Sequence, residues 1–106
     1  MKRRSLPVTK YKESSAKRQL GEALASLRDA GEARLFLEDL CTPAELEALV
    51  DRWRVVPLLL AGMPYREIHE RTAVSVTTIG RVSRTLEHGA GGYRIAAERL
   101  AHRGGH

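Results

Sequence analysis

A chain of 106 residues has room for one domain and none for a second. With 42% hydrophobic and 29% charged residues the composition excludes a disordered chain, and aromatics at 5% leave Leu, Val, Ile and Ala to fill a helical interior. The formal net charge of +5 favours a polyanionic partner, held through phosphate contacts and counterion release. Cys41 is the only cysteine, which excludes an intrachain disulfide. Next to an apolar run, it reads as a small buried hydrophobe in a reducing compartment. No stretch approaches the roughly eighteen uncharged apolar residues of a membrane span. The basic start, Met1 to Ser14, has no hydrophobic region after it, so no secretory signal and a cytoplasmic location are expected.

Residues 1–12 carry Lys2, Arg3, Arg4, Lys10 and Lys12 without an acid and read as a mobile basic arm, ahead of a helical domain over 13–103. A first helix is expected from Glu13 to Ala30, where Ala16, Leu20, Ala23, Leu24 and Leu27 form one apolar stripe, with Gly31 as its stop. A short, very apolar helix follows from Glu32 to Leu40. Thr42-Pro43-Ala44-Glu45 then matches a capping box with proline at the first helical position, opening a third helix from Pro43 toward Ala61. After Trp53 its apolar positions cover nearly the whole circumference. A chain this small supplies little to surround such a helix, so a partner subunit is expected to do so. Pro57 should kink or break it. A fourth helix is expected from Pro64 to Thr72, then a turn, Ala73-Val74-Ser75, and a fifth helix from Val76 to His88. Gly89-Ala90-Gly91-Gly92 breaks the chain before a last helix, Tyr93 to His102, and a frayed tail.

The segment Tyr65 to Arg84 reads as a helix-turn-helix. Ile68 supplies the first-helix contact, Val74 fills the turn, Ser75 caps the second helix, and Val76, Ile79, Val82 and Leu86 form its buried stripe. The opposite face offers Thr77, Thr78, Gly80, Arg81, Arg84 and Thr85, with no acid between Ser75 and Leu86. A helix exposed only to solvent usually mixes acids and bases on such a face. Short hydroxyls near the helix start, a glycine allowing close approach and two arginines suited to guanine edges or phosphates point instead to double-stranded DNA. The expected DNA-binding residues are Arg66, Ser75, Thr77, Thr78, Gly80, Arg81 and Arg84. The turn position that is usually glycine is Ala73, which has either to adopt a positive φ at about 1–2 kcal/mol or to make a different turn. His69 is read as an exposed helix residue without chemistry.

The run Leu37 to Gly62, the helix-turn-helix and Leu86 to Leu100 together resemble the TrpR-like YerC/YecD family, relatives of the tryptophan repressor, over about residues 20–101. The Gly89-Ala90-Gly91-Gly92-Tyr93 segment resembles that family's Gly-x-Gly-Gly-Tyr signature. The resemblance implies an all-α, six-helix, intertwined homodimer whose two helix-turn-helix heads enter successive major grooves. It also implies a ligand site. The two arginines that clamp the indole of tryptophan in the repressor match Arg52 and Arg81, and its hydroxyl residues match Thr42 and Thr85. Val82 stands where the repressor has glycine and puts two methyl groups into the indole's volume. Overfilling packed space costs about 1–3 kcal/mol, so a tryptophan response is not expected. Any small-molecule effector is left unidentified.

Two readings follow: a sequence-specific transcriptional regulator, or a helical dimeric protein–protein interaction module that has lost its operator. Arg81, Arg84 and the acid-free face favour the first. An enzyme is not expected. His69, His88, His102 and His106 have no metal-ligand spacing with one another or with Cys41, and no phosphate loop follows a strand, so no cofactor, metal or catalytic residue is predicted.

Overall fold

A computed structural model of the chain describes residues 10–105. Among them are six helices and no strand: α1 (Lys10–Ala25), α2 (Ala30–Leu40), α3 (Pro43–Leu60), α4 (Tyr65–Thr72), α5 (Val76–His88) and α6 (Gly92–Gly105). None is long and apolar enough to cross a membrane. The chain divides into two compact units, one ending at Cys41 and one beginning at Thr42. Of the basic arm expected over 1–12, residues 1–9 lie outside the described residues and Lys10 to Lys12 belong to α1.

The first unit holds α1 and α2. Here α1 stops at Ala25, short of the expected Ala30, and Gly31 is not its stop but a first-turn residue of α2. The reason is a cap that periodicity alone does not reveal. The Asp29 carboxylate accepts the Glu32 N–H at 2.9 Å, and the Glu32 carboxylate accepts the Arg28 N–H at 2.8 Å, so acidic groups at both ends of Asp29-Ala30-Gly31-Glu32 fix the start of α2. Cys41, expected to be buried, is only half-buried; its backbone N–H donates to the Leu37 carbonyl at the end of α2.

The second unit begins with the predicted capping box. Thr42 Oγ1 accepts the Glu45 N–H at 3.1 Å, while Glu45 Oε1 accepts the Thr42 N–H at 2.8 Å. Pro57 does not break α3, which runs on to Leu60 with the Ala61 N–H on the Pro57 carbonyl at 3.0 Å. The proline lies on an exposed face, where water can serve the carbonyl its missing N–H leaves open, while Val55 and Val56 anchor the same turn in the core. These two valines join Ile68, Val74, Ile79 and Val82 in one buried cluster that packs α3 against α4 and α5.

The last helix is tied back by the Gly-x-Gly-Gly-Tyr segment. A Cβ on Gly89 would sit 2.6 Å from the Thr85 carbonyl oxygen, and Gly91 has φ +96, so neither position accepts an ordinary side chain. The chain so turned starts α6 at Gly92 and brings Tyr93 onto Trp53, their ring centroids 6.4 Å apart at 45°. Helix α6 continues to Gly105, so the stretch expected to fray after His102 is helical up to that point. Replacing Gly89 by Ala should destabilise the protein by about 1–3 kcal/mol. Because the clash is with backbone, the loss should accompany weakened Tyr93–Trp53 packing, read as a shift in Trp53 fluorescence during urea unfolding.

Candidate nucleic-acid interface

Helices α4 and α5 meet through a turn that the sequence makes without glycine. Ala73 adopts the left-handed conformation, φ 66, as one of the two expected alternatives. Three side-chain hydrogen bonds surround it. His69 Nδ1 lies 2.8 Å from the Val74 carbonyl oxygen, which can only accept, so Nδ1 is the donor. The Thr72 hydroxyl donates to the Ile68 carbonyl at 2.7 Å and accepts the Val74 N–H at 3.1 Å. The Ala73 N–H closes α4 on the His69 carbonyl at 2.8 Å. His69, read from the sequence as without a role, is therefore a clasp of the turn. No periodicity signals it, because donor and acceptor are five residues apart across a helix end.

Beyond the turn, Ser75 caps α5 as predicted. Its Oγ accepts the Thr78 N–H and donates to Thr78 Oγ1, both at 3.1 Å. The Thr78 hydroxyl proton is thereby left to point elsewhere. Ile79 and Val82 are buried as expected, and Leu86 is packed against the core. Val76 is not: the sequence put it in the buried stripe, but it is 52% exposed. Val74, two residues earlier, already fills the core at this end of α5.

The outward face holds Ser75, Thr77, Arg81, Arg84 and Thr85 exposed, with Thr78 and Gly80 half-buried, and Arg66 is exposed on the first turn of α4. The expected DNA-binding set thus lies on one helix face and the first turn of its neighbour. Among the described residues, no carboxylate lies within 4.0 Å of Arg66, Arg81 or Arg84, whereas Arg71 is engaged by Glu67 at 2.8 Å. The charges on this face are available to an anion.

Of the four residues matched to the repressor's ligand site, the two threonines make hydrogen bonds within the fold. The Thr42 hydroxyl is spent on the α3 cap. Thr85 donates to the Arg81 carbonyl at 3.1 Å and borders a cleft of about 260 Å³ with Leu86 and the Ala90 to Arg94 stretch, which none of Thr42, Arg52 and Arg81 lines. Arg52 is half-buried, and no carboxylate pairs with it among the described residues. Val82, 1% exposed, is wholly part of the core.

Residues 16–101 match the family model described as Trp repressor protein. The chain is 38% identical over 82 residues to the uncharacterised protein YerC of Bacillus subtilis, an alignment covering 77% of this chain and 79% of that one. Among solved structures, a TrpR-like protein from Eubacterium eligens is similar with a TM-score of 0.75 at 41% identity, covering 82% of this chain and 90% of that one. A candidate Trp repressor from Staphylococcus aureus is similar with a TM-score of 0.76 at 28% identity, covering 88% and 95%.

The turn predicts two opposite stability effects. Ala73→Gly should stabilise the protein by about 1 kcal/mol, because the left-handed backbone no longer opposes a Cβ. His69→Ala should destabilise it by about 1 kcal/mol, because the Val74 carbonyl loses its donor. Urea unfolding at one fixed protein concentration checks both signs.

Proposed function

Because the chain belongs to the Trp repressor family, we propose that it is a sequence-specific DNA-binding transcriptional regulator that acts as a homodimer and does not respond to tryptophan. The observation that carries the reading is the outward face of α5, where Arg81 and Arg84 stand among hydroxyl groups with no acid between Ser75 and Leu86. In the bound state α5 lies in the major groove. Arg81 and Arg84 take guanine edges or phosphate oxygens, Thr77 and Thr78 donate to phosphates or bases, Gly80 lets the groove wall approach, and Arg66 holds the backbone from α4. Ser75 contributes chiefly by fixing the start of the helix and turning the Thr78 hydroxyl outward.

The homodimer rests on apolar surface. In the first unit no described side chain is fully buried, and Leu20, Leu24, Leu35 and Leu40 remain exposed. The second unit adds Leu49, Val50, Leu60, Ile95 and Leu100. So much exposed leucine, isoleucine and valine is what a second copy would cover. The absence of a tryptophan response rests on Val82, which stands where the repressor has glycine and whose methyl groups belong to the core.

Gel-shift with genomic fragments should reveal retarded complexes, and Arg81→Ala and Arg84→Ala should each weaken them by about 1–3 kcal/mol. Binding that is absent, or unchanged by either substitution, would overturn the reading. Mass measurement in solution should return twice the chain mass. Calorimetric titration with L-tryptophan should give no saturable heat at micromolar to millimolar ligand, and saturable binding there would refute the role assigned to Val82.

A further inference from the structure

Two residues on the reading face lower stability with no return inside the fold. Val76, 52% exposed at the first position of α5, leaves its methyl groups in water. Gly80 stands in the helix interior, where glycine is a poor residue, yet its geometry does not demand glycine. Its φ is not positive, and a Cβ there would meet only Arg84 Nη1 at 3.5 Å and Tyr65 Cε2 at 3.9 Å, both ordinary van der Waals contacts. The two positions are four apart on one helix and so share a face one turn from each other. An exposed valine one turn before a residue without a side chain leaves room for a small apolar group there, a shallow notch that the Arg84 guanidinium and the Tyr65 ring border at Gly80.

We infer that this notch receives the C5-methyl group of a thymine in the major groove, so that the protein selects a T at one position of each half-site. The inference rests on the DNA-binding reading above. The group it accepts must be small, apolar and carried on a polyanion, because the notch is flanked by Thr77, Arg81 and Arg84 and by no acid. In the major groove only thymine presents such a group. Adding a Cβ at position 80 would fill the notch without disturbing the helix, and removing the valine methyls would leave the thymine methyl without a partner.

The test uses the full chain and duplexes enriched by repeated binding from a randomised pool. Each thymine of the preferred duplex is replaced in turn by deoxyuridine, which removes only the methyl, and affinities are measured for the wild type, Val76→Ala and Gly80→Ala. For the wild type, one thymine per half-site should be methyl-dependent, with binding weakened roughly four-fold per half-site, the worth of one buried methyl. Val76→Ala should bind the thymine and deoxyuridine duplexes alike at that site. Gly80→Ala should melt at the same or a higher temperature and still bind more weakly. If a duplex is enriched but no thymine is methyl-dependent, or if Val76→Ala keeps the full dependence, the notch is not a thymine reader while the regulator reading stands. If Val76→Ala instead lowers the melting temperature or dissociates the oligomer, Val76 belongs to a protein interface and the inference falls. If no duplex is enriched at all, the regulator reading fails and takes the inference with it.

Discussion

The packing of α5 on α3 governs the rest of the molecule. Ile79 and Val82 enter one cluster with Val55 and Val56, and all four are buried to within 1%. Three of the four are valine, whose branched Cβ leaves little rotamer freedom in a helix, so the contact fixes rotation as well as position. Once that side of α5 is pinned, the 100° spacing of helical residues decides which side chains face outward. Thr77, Arg81 and Arg84 are presented because Ile79 and Val82 are not. The outward face is a by-product of the core, and its precision is that of the core.

Holding α4 at the right angle to α5 requires the short turn, and here the chain departs from the simplest solution. Glycine would enter the left-handed region freely, whereas Ala73 does so at some cost and His69 and Thr72 offset it. The backbone carbonyl and the backbone N–H of Val74 are both satisfied by side chains of the preceding helix. The result is a turn clasped from its α4 side, with Val74 driven into the core beneath it. Strain at one residue is thus balanced by hydrogen bonds on its neighbours rather than relieved by a change in sequence.

What could be read from the sequence tracks this division between short-range and side-specific effects. The start of α3, both ends of α5 and the stop at Gly89 are visible because capping residues and glycines act within three or four positions of themselves. The start of α2 has the same kind of signal in Asp29 and Glu32, but the apolar stripe running through Leu27 masks it and makes α1 look longer than it is. Of the kink or break expected at Pro57, the break does not occur. Proline's missing donor is a local fact, but whether it breaks a helix depends on whether the orphaned carbonyl faces water, which only the packed structure decides. Val76 fails for a similar reason. Its spacing from Ile79 and Val82 suits a buried stripe, but the position is already served by Val74. The His69 clasp has no sequence signature, because a spacing of five belongs to neither helical face.

Val82 joins the core argument to the question of control. On the reading proposed above, the methyl groups that complete the α3–α5 contact stand where the resemblance to the tryptophan repressor puts glycine, so one residue would set both stability and responsiveness. A ligand that works by filling a gap beneath α5 needs that gap to exist without it, and Val82 is already buried against α3 there. Displacing α5, alone or together with α4, would pull Ile79 and Val82 away from Val55 and Val56 and empty the core that defines it.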